Sequence, residues 1–490
     1  MPPIGVLCRL VLLPLLVLLA GCTALQRPRI EKPPGAEKNT APVLGSPVLT
    51  SPAQQEPAPP MLSRLPNNLT VIHKRVPSNS IVAVTCLAQP GAVSDPEEKL
   101  GRTHLMGRVL SKGTKSRSSD EIAETLEGMG ARFGCSDSYD YVAVSMQCVR
   151  EDLDDAFAVY ADVLLHPSFP IEEIRTEKQK VLAAIRARDD QTPSATMKMF
   201  RRALFGPGKY GRPIEGEPVT VQYLTQTDLM EAHANIFRPE NMVLSIVGDI
   251  SGEEAMALAK RYLGGLPASE APTAFSFASV PPRSGNEEAV RDVEQGFVAM
   301  GTYTCSLGDP DGPALDVAGA ILGQGMSARL FRELRDERGL AYMVGAFNTR
   351  YRDAGTFGAY IGTSPEAVRA YLDREKIVDP LLEEGTATEM DWAGRALWAE
   401  VERLRTEPVP LDELDRAKAY LVGGYLRGHE TNASQSHYLA YWHLMGLGIE
   451  YDARYPEELR AVTSRDIMRV ANKYFVAPST AITRPLRTAQ

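Results

Sequence analysis

The chain carries seven histidines, His73, His104, His166, His233, His429, His437 and His443, yet no two of them stand four residues apart. Its six cysteines include no C-x-x-C, which excludes a thiolate zinc framework. There is no G-x-S-x-G, no P-loop and no G-x-G-x-x-G opening a βαβ unit, so serine-nucleophile and nucleotide chemistry lack their usual carriers. Basic runs are short and the formal net charge is −9, which argues against a nucleic-acid partner. The strongest apolar run, Leu10–Ala20, is too short to cross a bilayer comfortably and contains Pro14.

What is present is ordinary in bulk. A length of 490 residues exceeds what one hydrophobic core serves, so two or more domains are expected. Hydrophobic content of 44% and charged content of 23% are those of a globular protein.

The amino terminus is more particular. Arg9 precedes the apolar run, which reads as a secretory signal peptide. The run closes on Leu19-Ala20-Gly21-Cys22, which resembles a bacterial lipobox with Cys22 as the lipidated residue. Thr23 follows in place of Asp, which favours outer-membrane over inner-membrane sorting. The expectation is a signal peptide over 1–21, a disordered Pro-rich tether over 22–62, and a folded part held in the cell envelope, facing the periplasm. Cys8 leaves with the signal. Cys86, Cys135, Cys148 and Cys305 read as buried thiols, with a single disulfide left open.

Beyond the tether the chain repeats itself. Leu224–Met230 with Phe237 is echoed by Val462–Met468 with Phe475, and Pro170–Ile174 by Pro410–Leu414. Capping alone explains one acidic echo just inside a helix start, but not two in the same order. The pattern predicts a duplicated unit: one half over 63–267, a linker over 268–290 and a second half over 291–490. Strands are expected at Thr70–Lys74, Ser80–Leu87, Ala131–Cys135, Tyr141–Cys148 and Met242–Gly248. Helices are expected at Ser119–Met129, Glu151–Leu165, Glu172–Arg188 and Gln226–Phe237. The second half offers strands at Phe297–Thr304, Gly345–Asn348 and Thr356–Ile361. Strands adjacent in sequence with helices grouped between them favour an α+β sandwich in each half.

Two motifs remain. Gly101–Thr114 (GRTHLMGRVLSKGT) has apolar residues at helical spacing and sits between a strand and a helix. Leu322–Tyr342 (LGQGMSARLFRELRDERGLAY) predicts a helix from Ser327 as N-cap to about Arg338, stopped by Gly339, with Arg329–Glu333 and Arg332–Asp336 as i,i+4 pairs. On residues alone, Arg335 reads as a solvated helix charge and Tyr342 as a half-buried strand residue.

Both motifs, with Gly208–Gly216 and Arg238–Asp249, resemble the M16 (pitrilysin/insulinase, inverted-zincin) peptidases over about 63–485. That family carries H-x-x-E-H on a helix: two histidines hold zinc and the glutamate takes a proton from the metal-bound water. The resemblance implies two homologous α/β-sandwich halves, of the kind seen in LuxS and the mitochondrial processing peptidase, arranged as a clam shell. It places His104 at the first ligand, Gly107 at the base, Arg108 at the second ligand and Ala184 at the third, a glutamate in active members. A guanidinium has no lone pair for a metal, so one ligand of three remains. The Arg and Tyr that reach substrate in active members correspond to Arg335 and Tyr342.

The combination is similar to the non-catalytic subunits of heterodimeric bacterial M16 peptidases. It implies a chain inert alone and binding no metal. A partner subunit bearing H-x-x-E-H would supply zinc, a peptide would be the substrate, and Cys22 would make the membrane contact. Two alternatives stay open: a scaffold or binding protein with no peptidase role, and an active metallopeptidase with a displaced metal site. The charged, helix-prone stretch at about 372–408, longer than the usual family connection, is left without a role.

Overall fold

The computed structural model describes residues 59–267 and 284–486. The signal peptide, Cys22, most of the tether and most of the linker lie outside the described residues. Eleven strands are seen among those described. The first six are β1 (Met61–Arg64), β2 (Thr70–Arg75), β3 (Ile81–Ala88), β4 (Arg132–Asp137), β5 (Val142–Val149) and β6 (Met242–Gly248). The others are β7 (Asn286–Arg291), β8 (Gly296–Thr304), β9 (Met343–Arg350), β10 (Gly355–Thr363) and β11 (Ser479–Pro485).

They form two mixed sheets, ordered β1-β2-β6-β3-β5-β4 and β7-β11-β8-β10-β9. Apart from β1 the two orders match position for position. In each, one pair is parallel (β2 with β6, β7 with β11) and the other pairs are antiparallel. The fold is α+β, as expected, and its duplication is visible in the topology. β4 and β9 are therefore equivalent edge strands.

The helices of the first half are α1 (Arg102–Val109), α2 (Ser119–Gly128), α3 (Leu153–Leu165), α4 (Ile171–Asp190), α5 (Thr192–Phe205), α6 (Pro218–Val221), α7 (Gln226–Ile236) and α8 (Gly252–Leu263). Those of the second are α9 (Gly312–Gly323), α10 (Pro365–Glu375), α11 (Pro380–Glu383), α12 (Glu389–Thr406), α13 (Leu411–Gly428), α14 (Asn432–Leu444), α15 (Tyr451–Ala461) and α16 (Ser464–Tyr474). The sequence echo becomes a structural one. Thr225 and Thr463 each cap a helix in a reciprocal box, with Asp228 and Asp466 at the third position. Both helices end on a phenylalanine, Phe237 and Phe475, of nearly the same backbone conformation.

Each half lends a helix to the other. α5 packs on β8 and β11 of the second sheet, and α14 packs on β3 and β6 of the first. Phe200 joins Phe297 and Ala299 in one apolar cluster, while Leu439 and Ala440 join Ile72, Leu87 and Val247 in another. These contacts bury apolar area that neither half could bury alone.

Three expectations need correction, and one stretch left open finds its place. β1 begins at Met61, inside the expected tether, and pairs with β2 by backbone bonds while Met61 and Leu62 stay exposed, so it has no buried alternation to read. β7 begins at Asn286, inside the expected linker. Much of the stretch at 372–408 is α12, whose Ala393, Leu397, Val401 and Leu404 are core. The helix after Ser327 is a π-helix over Phe331–Glu337. Its wider turn breaks the i,i+4 register, so neither expected pair forms: Arg329 instead binds Glu413 at 2.8 and 2.7 Å, and Arg332 binds Glu333 at 2.9 Å. Gly339 does stop it, at φ +67°. Among the described residues no helix is long and apolar enough to cross a membrane, and Cys86, Cys135, Cys148 and Cys305 are free thiols.

Candidate functional site

Helix α1 lies against α4, α7 and the edge strand β4, and Leu105, Met106, Val109 and Leu110 anchor it in the core. Gly101 caps it with φ +86°, and a Cβ there would stand 2.4 Å from the carbonyl oxygen of Glu215. Only glycine lets the Arg212–Gly216 loop approach so closely. At the far end the Thr114 hydroxyl donates to Asp162 at 2.7 Å. The motif's frame thus has structural work to do without any metal.

Inside the frame the groups satisfy one another. His104 Nδ1 is 2.9 Å from Asp137 Oδ1 on β4. Burial pulls the imidazole pKa down, but Asp137 outweighs it and the net shift is upward. Orientation by a carboxylate is the posture of a ligating histidine, so His104 keeps its bearing. Its partners are gone.

Arg108 donates from Nε and Nη2 to Glu177 Oε2 at 3.0 and 2.8 Å, and Lys180 donates to Oε1 at 2.7 Å. The Glu177 side chain is 2% exposed. Burial pushes its pKa up, but Lys180 and Arg108 prevail and hold it below the usual carboxylate range. Ala184, two helical turns beyond Glu177 on α4, is exposed and carries no donor atom. At Gly107 a Cβ would sit 3.2 Å from Cys135 Sγ, so a thiol occupies the space beside the vacant base position. Burial pushes that thiol up to about 12, which keeps it protonated and poor as base or ligand. Zinc does not fit this donor set. Among the described residues no group of three or more His, Cys, Asp or Glu could hold a metal ion.

Glu177 escaped the sequence reading. The signal was there: a glutamate seven residues before Ala184 shares its face of α4.

The second motif differs in kind. Arg335, on the π-helix, is exposed and stacks its guanidinium 4.7 Å from the Phe331 ring centre, with no carboxylate paired to it among the described residues. Tyr342 is 70% exposed, so it is not the half-buried strand residue that the residues alone suggest. Its backbone N–H donates to the Gly362 carbonyl at 3.0 Å, fixing it at the head of edge strand β9. A phenol and a guanidinium left open in this way can donate to a peptide carbonyl. The histidines of the second half form no ligand set: His437 packs against Tyr141 and Tyr441 where α14 meets the first sheet.

Comparison with known proteins shows the family and the fold. The profile described as "Insulinase (Peptidase family M16)" matches residues 70–217, and that of the "Peptidase M16 inactive domain" matches 223–421, together more than half of the chain. A protein of Rickettsia bellii described as an uncharacterized zinc protease is 25% identical over 427 residues, spanning 86% of this chain and 96% of that one. A Mycobacterium leprae protein of the same description is 29% identical over 310 residues, 61% of this chain and 68% of the relative. Among solved structures, a peptidase M16 inactive domain from Pseudomonas fluorescens superposes with a TM-score of 0.76 at 21% identity, covering 88% of this chain and 99% of that one. A protease from Helicobacter pylori gives 0.76 at 20% identity, covering 87% and 100%.

Proposed function

The chain belongs to the M16 (insulinase) peptidase family, and from that premise we propose that it is the non-catalytic, substrate-binding subunit of a heteromeric M16 zinc endopeptidase. The observation that carries the reading is the Arg108–Glu177 pair: a fixed cation stands where a second metal ligand is required, and it is already bound. The relatives described as zinc proteases give the activity to which such a subunit would contribute.

In this reading the metal and the general base come from a partner chain carrying H-x-x-E-H. This chain contributes the wall of the substrate chamber and two donors, Arg335 and Tyr342, that hold the peptide carbonyl and stabilise the charge it develops. Peptide backbone would extend the sheet at an open edge strand, the nearest to those donors being β9. A lipid on Cys22 would tether the assembly to the membrane from its periplasmic side, the outer membrane by the Thr23 argument.

The test is reconstitution. The purified chain should hydrolyse no peptide, and activity should appear with its zinc-bearing partner. In that complex Arg335→Ala and Tyr342→Phe should each lower kcat/KM by about tenfold to a hundredfold with assembly intact, the range expected for losing one donor. Zinc-dependent hydrolysis by the chain alone would refute the reading. Full activity in both variants would remove the assigned roles.

A further inference from the structure

Where the two halves meet, the structure holds a cation that the proposed chemistry does not use. Arg201, on α5, is only partly buried, and its guanidinium carbon lies 5.3 Å from the Tyr139 ring centre and 6.0 Å from that of Tyr351. It also donates to the Tyr351 hydroxyl. Tyr139 sits in the β4–β5 connection and Tyr351 in the β9–β10 connection, so equivalent hairpins of the two halves converge on one side chain, their rings 5.2 Å apart.

The neighbouring cations all have carboxylates. Arg188 donates to Glu215 at 2.6 Å, Lys198 to Glu217 at 3.0 Å and Arg202 to Glu287 at 2.6 Å. Arg201 has none among the described residues. Glu215, whose charge favours the Arg201 cation, is committed to Arg188. Aromatic faces offset part of the Arg201 charge, but a guanidinium has five N–H donors in a planar fork, and a single phenol hydroxyl leaves most of them unused.

We propose that Arg201, presented between Tyr139 and Tyr351, is a receiving site for a carboxylate of the bound peptide, either its C-terminus or an acidic side chain. The fork geometry suits a planar carboxylate, and the partly desolvated setting strengthens the pairing. The assignment rests on the substrate-binding reading and narrows it to peptides carrying a negative charge at one fixed place.

The experiment uses the full chain and a short fluorescein-labelled peptide of Ala, Leu and Gln in three forms: a neutral amide, the same peptide as the free acid, and the amide with one central Glu. Fluorescence anisotropy gives each affinity at low and high salt. One of the two acidic forms should bind about tenfold more tightly than the neutral amide at low salt, and which one does identifies the source of the carboxylate. The preference should shrink at high salt. Arg201→Gln should abolish it and Arg201→Lys should keep part of it, with binding of the neutral amide unchanged in both.

Equal affinity of all three forms for the native chain would overturn the proposal, as would a preference that survives Arg201→Gln. Absence of binding by every form would instead overturn the substrate-binding reading beneath it. Should Arg201→Gln fail to fold, the acid–amide and salt comparisons on the native chain decide alone.

Discussion

Helix α1 lies beside β4 and the π-helix beside β9, the equivalent edge strands of the two sheets, and these two motif-bearing helices have been left in opposite states. In the first half the groups at the two ligand positions are spoken for: His104 by Asp137, and Arg108 by Glu177, which Lys180 also holds. In the second half Arg335 and Tyr342 are exposed and, among the described residues, bound to no carboxylate. A site that has lost its metal and keeps buried acids must neutralise them from within, because an unpaired buried charge is costly. A site whose task is to donate hydrogen bonds must stay open. The first has become part of the scaffold. The second remains available to a ligand.

The comparison presupposes that the two sheets hold one another, and the exchanged helices are where that is most easily broken. Phe200 on α5 is 2% exposed and packs against the partner sheet. Phe200→Ala should cost about 3–5 kcal/mol in urea unfolding, as a large cavity in a core does. Leu439→Ala on α14 should cost about 2–4 kcal/mol by the same argument, since Leu439 is 1% exposed. If either loss were under about 1 kcal/mol, the halves would not depend on each other's helix.

A smaller effect separates the two motifs directly. Arg108→Ala leaves the Glu177 carboxylate with Lys180 alone, and should destabilise the chain by about 1–2 kcal/mol, discounted because the Arg108 side chain is 48% exposed. Arg335→Ala should change stability by less than about 0.5 kcal/mol, as exposed residues without partners do. Equal costs in urea titrations of the two variants would erase the distinction between a scaffold site and an open one.

Much of this was legible in the chain itself. The strand Met242–Gly248 coincides with β6 end for end, because seven apolar or small residues in a row sit in a fully buried central position. The loss of the metal ligands could be read residue by residue, since a missing donor atom needs no coordinates. What replaced them could not. The Arg108–Glu177 pair joins residues far apart in sequence, and although the spacing of Glu177 from Ala184 marks it as a neighbour of the site, only the fold shows that Arg108 takes it. Helix α5 went unassigned for a related reason: its buried face is matched to a sheet in the opposite half, although Pro193 at its first turn was a usable start signal. The π-helix escaped because its residues also suit an α-helix, and only packing selects the wider turn.

An effect that comes and goes with pH lies where α13, α14 and α15 meet. His429 Nε2 is 2.8 Å from Asp452 Oδ1 and Nδ1 is 2.7 Å from the Tyr425 carbonyl oxygen. Both partners only accept, so both ring nitrogens must donate and the ring is an imidazolium. Its plane stacks on Tyr438 at 4.2 Å. Burial and Lys74 pull the pKa down, but Asp452 and the Tyr425 carbonyl outweigh them and hold it above the ordinary value. A raised histidine pKa stabilises fully below the unfolded-state value, about 6.5, and the gain is lost as pH rises through the folded-state value. Asp452, held below the usual carboxylate range with His429, Tyr425 and Lys74 outweighing its burial, works in reverse, its share lost in strong acid. His429→Gln should therefore lower stability by about 1–2 kcal/mol near pH 6, the worth of a charged hydrogen bond, and by clearly less in alkaline buffer. Urea unfolding of native and variant chains across that range checks it. A cost independent of pH would mean that the ring is neutral and that His429 serves by packing alone.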